Sequence, residues 1–462
     1  MPSFPLGLYR TGMNRAIALR YAAETLPRYT SYPTAVDFTP AVGAEDLARW
    51  LGEADPAGTL SLYVHIPFCQ TLCWYCGCHT SVPNGYGRAE AYGARLLEEI
   101  DLVARHVGAH AGVVHVHLGG GTPTYLAPDD LRLLMSRLYR RFPLRTGAEI
   151  AVEIDPRGLD EARAEALAEC GTTRASLGIQ DFDPEVQRLI NRVQPRETVD
   201  AAIAKLKAVG ISELSFDLVY GLPGQSVASV VASAREAASL RPSRLAVFGY
   251  AHVPWFKKHQ RAIDETRLPD MAARLDMAEA IDEVLQGAGY EAIGFDHYAR
   301  SEDSLAKAAA SGRLHRNFQG YTDDPADMLI GFGASAIGAL PQGFVQNETD
   351  LGRWRQAIRE GRLPVARGLA LTPEDRLRGE AIERLMCDLE LDFGALCLRH
   401  GRNEDALDDA LPRLAALALD GLVRLAGRTV TVGQQGRRFL RTVASAFDLR
   451  SRLNATRHSR AV

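Results

Sequence analysis

The chain has 462 residues, of which 46% are hydrophobic and 24% charged, as in a globular protein with one large domain and room for a smaller one. Its formal net charge of −4 gives no reason to expect a nucleic-acid or anionic-membrane partner. No apolar run approaches the roughly 20 residues that cross a bilayer. We therefore expect a cytoplasmic protein that binds neither nucleic acid nor membrane.

The first 28 residues carry four arginines and one acid, a composition faintly similar to that of an organelle transit peptide. They lack a secretory apolar region and a cleavage site. Met13 opens a predicted amphipathic helix, so translation from Met13 rather than Met1 stays open.

Short apolar runs alternate with amphipathic stretches from about residue 60 to 255. The runs predict six strands, at 60–68, 113–118, 149–154, 174–179, 213–219 and 244–250. The stretches between them predict helices at 88–107, 129–142, 160–170, 198–209 and 227–240. Such alternation is typical of parallel strands with right-handed crossovers. Because six units are fewer than the eight of a closed barrel, we predict an α/β fold with an incomplete (β/α)6 barrel.

Residues capable of chemistry follow or end each predicted strand. They are Cys69, the glycines of 119–121, Glu153, Gln180, Asp217 and Ala251. Parallel β/α folds build their active sites at the carboxyl ends of their strands, so we expect a site there.

The pattern changes after residue 260. Residues 268–287 predict a helix, 291–295 a short strand and 329–340 an apolar, glycine-rich return. A helical region from Thr372 to about 420 precedes a hairpin (421–425 and 428–432) and a final helix from about Gln435. We predict an N-terminal extension contributing to the active site (1–54), a core barrel (55–290), a barrel-completing segment (291–365) and a mainly helical, winged-helix-like C-terminal domain (366–462).

Four of the seven cysteines crowd into residues 69–78. Cys69, Cys73 and Cys76 have the spacing C-x3-C-x2-C, which can bind three irons of a cubane cluster and leave the fourth iron open. Structural zinc usually takes two separated ligand pairs, so a zinc site and an inert loop are weaker alternatives. The remaining cysteines are predicted to be buried, inert thiols: Cys170, Cys387 and Cys397.

Eight further segments are informative together: 27–34 (PRYTSYPT), 63–69 (YVHIPFC), 119–126 (GGGTPTYL), 153–157 (EIDPR), 178–182 (GIQDF), 217–223 (DLVYGLP), 250–254 (YAHVP) and 315–321 (HRNFQGY). With the cysteine motif, they make the chain resemble the oxygen-independent coproporphyrinogen III oxidases, radical S-adenosylmethionine (SAM) enzymes of haem biosynthesis. The resemblance runs from about residue 20 to the C-terminus. The cysteine motif alone indicates only the superfamily, whereas the Cys76-Gly77-Cys78 extension and segment 27–34 favour the oxidases.

The resemblance implies a radical-SAM barrel that converts two propionates of coproporphyrinogen III to vinyl groups, giving protoporphyrinogen IX with loss of CO2. It implies one [4Fe–4S] cluster on Cys69, Cys73 and Cys76, two SAM molecules, and a 5′-deoxyadenosyl radical that takes hydrogen from the propionate. An unidentified low-potential electron donor and a terminal electron acceptor are implied as partners. No extended dimer interface is apparent, so we expect a monomer.

The resemblance also assigns site residues. Those matching the first SAM site are Tyr63, Tyr75, Gly120, Gly121, Thr122, Glu153 and Ile337. Those matching the second are Gln180, Arg192, Asp217 and Ala251, with Gly121 and Thr122 shared. Tyr75 stands where the family commonly has phenylalanine. The glycines are expected to bring backbone N–H groups close to SAM, since they lack a Cβ.

Without the resemblance, several of these residues have plainer interpretations. Glu153 and Asp217 would be solvated loop acids, and Arg192 a surface cation on a predicted helix over 184–192. His115 and His117 alternate within one strand and are predicted to share a face as core or surface histidines rather than metal ligands.

Two residues are expected to act in catalysis, Cys78 and His65. Cys78 lies too close to Cys76 in sequence to complete the cluster. The substrate's propionates should be held by arginine, because a guanidinium pairs a carboxylate with two hydrogen bonds. The candidates are Arg28, Arg300 and Arg316.

Two other functions are alternatives for this sequence. The first is a radical SAM paralogue that binds haem or transfers it; such relatives lack the Cys-Gly-Cys extension and segment 27–34, and both are present here. The second is a non-enzymatic, metal-dependent scaffold whose C-terminal domain mediates contacts. The weakly acidic balance disfavours DNA binding by that domain.

Overall fold

The computed structural model describes residues 14–453, so the question of a start at Met13 lies outside the described residues. Two helices precede the first strand, α1 (Arg15–Ala22) and α2 (Ala44–Gly52). Among the described residues, no helix combines the length and the apolar character needed to cross a membrane.

Six parallel strands form the core that the sequence predicts: β1 (Leu60–Ile66), β2 (Val113–Gly120), β3 (Leu144–Ile154), β4 (Arg174–Gln180), β5 (Glu213–Tyr220) and β6 (Arg244–Gly249). The helices between them are α3 (Gly87–Ala104), α4 (Pro128–Arg141), α5 (Glu161–Glu169), α6 (Pro184–Leu189), α7 (Arg196–Ala208) and α8 (Val227–Ser239). The predicted strands and helices are confirmed to within a few residues.

The chain then extends this sheet at both edges. The next elements are α9 (Met271–Gly287), β7 (Tyr290–Ile293), β8 (His297–Arg300), α10 (Ser304–Ala310), β9 (His315–Asn317), β10 (Gly320–Thr322), β11 (Met328–Phe332), β12 (Ile337–Leu340), β13 (Gly343–Asn347), α11 (Leu351–Arg359) and β14 (Val365–Ala370). Within the described range the sheet has twelve strands in the order β14-β13-β12-β11-β1-β2-β3-β4-β5-β6-β8-β7. Its two ends do not pair, so the barrel is open, as predicted.

Strand β11 adds a seventh parallel strand beside β1, and β8 pairs antiparallel with β6. The predicted return over 329–340 is therefore two strands, β11 and β12, rather than one. The chain reverses between them, where Gly333 and Ser335 adopt positive φ angles of 93° and 66°.

The C-terminal region contains α12 (Pro373–Asp388), β15 (Glu390–Asp392), α13 (Phe393–Arg399), α14 (Leu411–Leu419), β16 (Val423–Ala426), β17 (Thr429–Val432), α15 (Gln434–Arg437), α16 (Leu440–Ala444) and α17 (Leu449–Leu453). The predicted hairpin is β16–β17, which β15 extends to three strands. The predicted final helix is instead three short ones. The chain breaks before α17, where Asp448 accepts hydrogen bonds from Ser451 N (2.8 Å) and Tyr29 Oη (2.8 Å).

The segment before β1 joins the barrel to the C-terminal region. Arg15 pairs with Asp276 of α9 at 2.7 Å, and Thr39 bridges to Gly368 of β14. Tyr32 accepts a hydrogen bond from Leu449 N at 3.2 Å. The extension therefore holds the two regions against each other.

The alternation of side chains along the strands separates two environments. On β1, Leu60, Leu62, Val64 and Ile66 are buried in the layer shared with the helices. The intervening positions face the barrel interior, which is polar, because they carry Ser61, Tyr63, His65 and their neighbours His115, His117, Glu149 and Glu153. An ordinary small barrel fills its interior with branched apolar side chains, so this polar lining is a functional signal.

Candidate active site

The cysteine loop connects β1 to α3. Cys69 N donates to Ser81 O (3.0 Å) and Ser81 N donates to Pro67 O (2.8 Å), which ties the two ends of the loop together. The tip is anchored to the turn after α6, where Asn191 Nδ2 donates to Leu72 O at 2.9 Å. The loop is thus fixed at the carboxyl ends of the parallel strands.

Each sulfur of the motif has at least one donor beside it. Cys69 Sγ lies 3.1 Å from Thr80 Oγ1 and 3.5 Å from Thr122 Oγ1. Cys76 Sγ accepts from Cys78 N at 3.4 Å, and a hydrogen bond from the Cys78 thiol lowers the pKa of Cys76 to about 7. Burial, in contrast, raises the pKa of Cys69.

Two guanidinium groups lie against the sulfur of Cys73. Cys73 Sγ is 3.5 Å from Arg192 Nη1 and 3.7 Å from Arg157 Nη2. Donors and cations stabilise a thiolate, which is the form that binds iron, so this donor set fits an iron–sulfur cluster. Between residues 14 and 453, no three His, Cys, Asp or Glu side chains are gathered as ligands of a single metal ion.

Glu153 lies at the end of β3, inside the barrel. Its carboxylate accepts hydrogen bonds from His117 Nε2 (3.0 Å) and Gly120 N (3.1 Å). Burial alone would raise the pKa of Glu153, but these two donors bring the pKa below its ordinary value. Glu153 is therefore a fixed carboxylate in the barrel and not a solvated loop acid.

In the glycine loop after β2, the backbone N–H groups have partners within the protein. Gly121 N donates to Ile66 O (2.9 Å) and Thr122 N to Phe68 O (2.8 Å), so these N–H groups are already paired within the protein. These N–H groups are thus not available as donors to SAM, while the assignment of the loop to the SAM sites stays a prediction. Glycine is needed instead for packing: a Cβ at Gly121 would lie 2.7 Å from Phe68 O, and one at Gly120, whose φ is +103°, would lie 2.3 Å from the His65 ring.

His65 is held by both ring nitrogens. Nδ1 lies 2.9 Å from Tyr63 Oη, and Nε2 lies 2.9 Å from His79 O. Since a carbonyl only accepts, the proton belongs on Nε2, and Tyr63 donates to Nδ1. Burial lowers the pKa of His65 to about 4, in agreement with a neutral ring. This geometry makes His65 a positioning residue for Tyr63 and the cysteine loop.

Arg192 is buried and does not lie on a helix, because α6 ends at Leu189. Besides Cys73, its guanidinium contacts Gly178 O (2.7 Å) and Asp155 Oδ2 (3.2 Å). It is thus not the surface cation of the plainer interpretation. It joins the cysteine loop to the ends of β3 and β4.

Asp217 lies inside β5, three residues before the strand's last residue, rather than at its end. Its carboxyl is 3.4 Å from Ser176 Oγ. Burial, followed by the charge of Glu153, raises the pKa of Asp217 to about 7. Gln180 ends β4 with a positive φ of 68°. Both belong to the same interior as Glu153.

The remaining predicted residues occupy different positions around this interior. Tyr63 stacks on His117 with 5.9 Å between ring centroids. Tyr75 packs against an apolar cluster that includes Tyr250. Ile337 begins β12, and Ala251 follows β6. Cys78 is exposed. Cys170, Cys387 and Cys397 are buried, as predicted.

Sequence reasoning missed the loop after β6. Lys257 Nζ donates to Cys78 O (2.9 Å), His259 Nε2 to Cys76 O (2.7 Å) and Gln260 Nε2 to Tyr75 O (2.9 Å). These three hydrogen bonds to the carbonyls of the cysteine loop cannot be predicted from periodicity, because the loop after β6 is irregular. Asp155 and Arg157 were also missed as site residues, although the segment 153–157 that contains them was informative.

The three arginines predicted as propionate ligands lie in different parts of the barrel. Arg28 donates to Gly249 O (3.2 Å) at the carboxyl end of β6, and Arg316 donates to Tyr29 O (3.1 Å). Arg300 instead pairs with Glu302, and its N–H donates to Ser243 O at the amino end of β6. Arg300 therefore lies at the wrong end of the barrel for a propionate ligand.

Comparison with known proteins agrees with this geometry. Residues 63–237 match the model of the radical SAM superfamily. The oxygen-independent coproporphyrinogen III oxidase of Bradyrhizobium diazoefficiens is 49% identical over 97% of this chain and 100% of its own length. That of Pseudomonas aeruginosa is 39% identical over 94% of this chain and 96% of its own.

The solved structure of coproporphyrinogen III oxidase from Escherichia coli, described as a radical SAM enzyme, matches with a TM-score of 0.87 and 37% identity. The match covers 92% of this chain and 100% of that one. Similarity of this extent over nearly the whole length of both proteins identifies a shared family. The chain belongs to the oxygen-independent coproporphyrinogen III oxidases of the radical SAM superfamily.

Proposed function

We propose that this protein catalyses the oxygen-independent oxidative decarboxylation of two propionates of coproporphyrinogen III to vinyl groups, giving protoporphyrinogen IX. The observation that carries the proposal is the cysteine loop itself, whose three motif sulfurs each face hydrogen-bond donors at the carboxyl end of a polar barrel. The names of the full-length relatives support the same reaction and favour it over a haem-binding or haem-transfer role.

Family membership implies a [4Fe–4S] cluster and SAM. We assign the cluster to Cys69, Cys73 and Cys76. When bound, cluster and SAM supply a carbon-centred radical able to take a hydrogen atom from a propionate side chain. The protein's own part is to hold the thiolates: Arg157 and Arg192 offset negative charge at Cys73, and the hydroxyls of Thr80 and Thr122 do so at Cys69.

We assign two SAM sites to the barrel interior. The first is formed by Tyr63, Tyr75, Gly120, Gly121, Thr122, Glu153 and Ile337. The second is formed by Gln180, Arg192, Asp217 and Ala251 with Gly121 and Thr122. Glu153 is suited to accept hydrogen bonds from SAM's amino group, because its carboxylate is oriented by His117 and remains charged. Asp217 offers an acceptor for ribose hydroxyls deeper in the barrel.

In this proposal, each segment of the chain has its own role. Residues 14–54 connect the barrel and the C-terminal region, and 55–290 carry the cysteine loop and all the assigned SAM-site residues except Ile337. Residues 291–365 complete the sheet together with the rest of β14, which runs on to Ala370. An electron donor for the cluster, a terminal electron acceptor, a monomeric state and a cytoplasmic location complete the proposal.

Anaerobic turnover tests the function. The purified full chain is reconstituted with iron and sulfide, then given coproporphyrinogen III, SAM and a low-potential reductant, and the porphyrins are separated by chromatography. We expect protoporphyrin only with SAM, and none from Cys73→Ser, while Cys397→Ser, altered far from the site, keeps activity. A reconstituted protein that cleaves SAM but leaves coproporphyrinogen unchanged would instead support the haem-handling alternative.

A further inference from the structure

A cavity of about 600 Å³ lies between the carboxyl end of β6, one face of α9, the β7–β8 turn and the segment after β17. Ligand sites for molecules of cofactor size have volumes of roughly 300–1,000 Å³. Five arginines from four separate segments line it: Arg28, Arg274, Arg437, Arg438 and Arg441. We call this cavity, with these five residues, the arginine chamber.

Three of the chamber's arginines donate hydrogen bonds to backbone carbonyls. Arg28 donates to Gly249 O at 3.2 Å, Arg437 donates to the carbonyls of Gly294 and Ala292, and Arg441 donates to Pro27 O at 2.9 Å. A carbonyl accepts a hydrogen bond but carries no net charge. Burial lowers the pKa of Arg437. Burial, together with the charges of Arg28 and Arg316, lowers the pKa of Arg441 to about 9.

The three carboxylates that line the chamber already have other partners. Asp296 accepts from His297 Nδ1 (2.6 Å), Asp282 from Tyr298 Oη (2.9 Å) and Glu265 lies 3.0 Å from His252 Nε2. Arg438 pairs with Glu279 at 2.7 Å. The wall of the chamber thus carries five arginines and three carboxylates, a composition that suits a ligand with several negative groups.

The backbone is shaped around Arg274. A Cβ at Gly221, whose φ is +82°, would lie 2.1 Å from Arg274 Nη1, and one at Gly249 would lie 3.1 Å from Arg274 Nη2. The guanidinium of Arg274 also faces the ring of Tyr220 at 5.5 Å. The charges of Arg28, Arg274, Arg438 and Arg441 all reach Tyr220, so the arginines converge around this side chain.

The chamber borders the cysteine loop. The segment Ala251–Val253, which lines it, leads directly into the loop whose Lys257, His259 and Gln260 hold the cysteine-loop carbonyls. Arg28 lies within electrostatic range of Cys78. The walls also offer the aromatic surfaces of Phe248, Trp255 and Phe295. A large, flat, polyanionic ligand could thus lie with one edge near the cysteines.

We propose that the arginine chamber binds the propionate carboxylates of the tetrapyrrole and selects ligands by their number of carboxylates. This inference rests on the proposed function, since it takes the substrate from it. The substrate has four propionates and the product two, so the chamber holds substrate more strongly than product and favours product release. The binding residues are Arg28, Arg274, Arg437, Arg438 and Arg441, and Arg28 lies within electrostatic range of Cys78.

Binding to the reconstituted full-length protein tests the selectivity. The probes are coproporphyrin III, protoporphyrin IX and coproporphyrin III tetramethyl ester, which carry four, two and no free carboxylates. We expect affinity to fall in that order, and the affinity for coproporphyrin III to weaken as salt rises. Equal affinity for the tetra-acid and its ester would overturn the proposal.

Turnover of matched variants tests the residues. Arg28→Gln and Arg274→Gln should each raise KM for coproporphyrinogen III at least about 10-fold, as expected for a lost charge-assisted hydrogen bond, and Arg→Lys should recover part of the loss. Iron content and SAM cleavage should stay at the level of the unaltered protein. Arg424→Gln, which changes an exposed arginine of β16, is the control.

The outcomes separate the two proposals. Unchanged KM in both variants, with an active unaltered protein, would discard the chamber and leave the function standing. An unaltered protein that cleaves SAM but consumes no coproporphyrinogen would discard the function. A lower melting temperature with unchanged KM would assign these arginines a structural role and discard the chamber.

Discussion

The two ends of the barrel interior differ in how their charged side chains are paired. At the amino end, Arg174 lies 3.1 Å from Glu149 and 3.3 Å from Asp303, and Arg244 lies 2.7 Å from Asp303. Toward the carboxyl end, Asp217 has a pKa raised to about 7, and Arg28, Arg437 and Arg441 of the chamber donate to backbone carbonyls.

The difference follows from what each end must do. His115 lies between Glu149 (3.4 Å) and Asp324 (3.5 Å), so the amino-end network pairs its charges within the protein and closes the barrel. At the carboxyl end, Arg28 and Arg437 donate to backbone carbonyls and Asp217 contacts the Ser176 hydroxyl, so these groups can also pair with the charges of a ligand. Buried polar groups that pair with one another indicate structure, whereas poorly compensated ones indicate a binding site.

The largest effect on stability should come from the amino end. Arg174→Gln leaves Glu149 and Asp303 short of a buried partner, which typically costs about 3–5 kcal/mol of unfolding free energy. Chemical denaturation would measure it, with the exposed Arg424→Gln expected to stay within about 0.5 kcal/mol. A loss below 1 kcal/mol for Arg174→Gln would contradict the contrast between the two ends.

A smaller, pH-dependent effect should follow from His115. Burial lowers its pKa, but the carboxylates of Asp324 and Glu149 outweigh burial and raise the pKa to about 9. A raised pKa means that the stabilisation is fully present below the ordinary value near 6.5 and is lost as pH rises through about 9.

His115→Gln should therefore cost roughly 2–3 kcal/mol at pH 6 and much less at pH 10, as measured by denaturation at both values. His110→Gln serves as the comparison: His110 is half-buried and burial lowers its pKa, so the cost of this change should not fall as pH rises. An equal cost for His115→Gln at both pH values would contradict the ion-pair interpretation.

Toward the carboxyl end, removing a buried charge should stabilise the protein, whereas at the amino end it should destabilise it. Burial raises the pKa of Asp217 to about 7, so its contribution to stability is lost as pH rises from about 4 to 7. Asp217→Asn should raise the melting temperature of the SAM-free protein at pH 8 by a few degrees, with no gain at pH 4, while SAM binding weakens. Thermal unfolding and SAM titration measure both. A destabilised variant at pH 8 would place Asp217 with the structural charges.

The smallest expected effect is the change in iron content when Cys78 is replaced. This thiol is exposed and not assigned as a ligand, so Cys78→Ala should keep the iron content of the reconstituted protein within error of the unaltered chain. Cys76→Ala is the matched comparison and should lose iron. Iron analysis decides between them, and a matching loss in Cys78→Ala would make Cys78 a ligand.

Much of the architecture was predictable because its signals are local. Strand and helix positions from 60 to 287 follow from apolar periodicity, and the predicted strand starts at Val113, Arg174, Glu213 and Arg244 coincide with the observed ones. The pairing of β11 beside β1 was not predicted, since parallel neighbours distant in sequence leave no local pattern. The break before α17 depends on Tyr29, which lies more than 400 residues away.

The cysteine motif and its family resemblance placed the site at one end of the barrel, because ligand spacing on one loop is a property of the sequence. The partners of those residues were decided only by the tertiary structure. The N–H groups of Gly121 and Thr122 were expected to face SAM, yet they bond to Ile66 and Phe68, because β1 and β2 end side by side. His65, expected in catalysis, has both ring nitrogens engaged.

The sequence by itself determined the open β/α barrel, the cluster motif and the family, since periodicity and spacing are written along the chain. The arginine chamber was decided by tertiary structure alone. Arg28, Arg274 and Arg441 lie in distant parts of the sequence and carry no shared motif, and of the three only Arg28 was among the predicted candidates. Their charges act together because the N-terminal extension, α9 and the C-terminal region fold against the same open edge of the barrel.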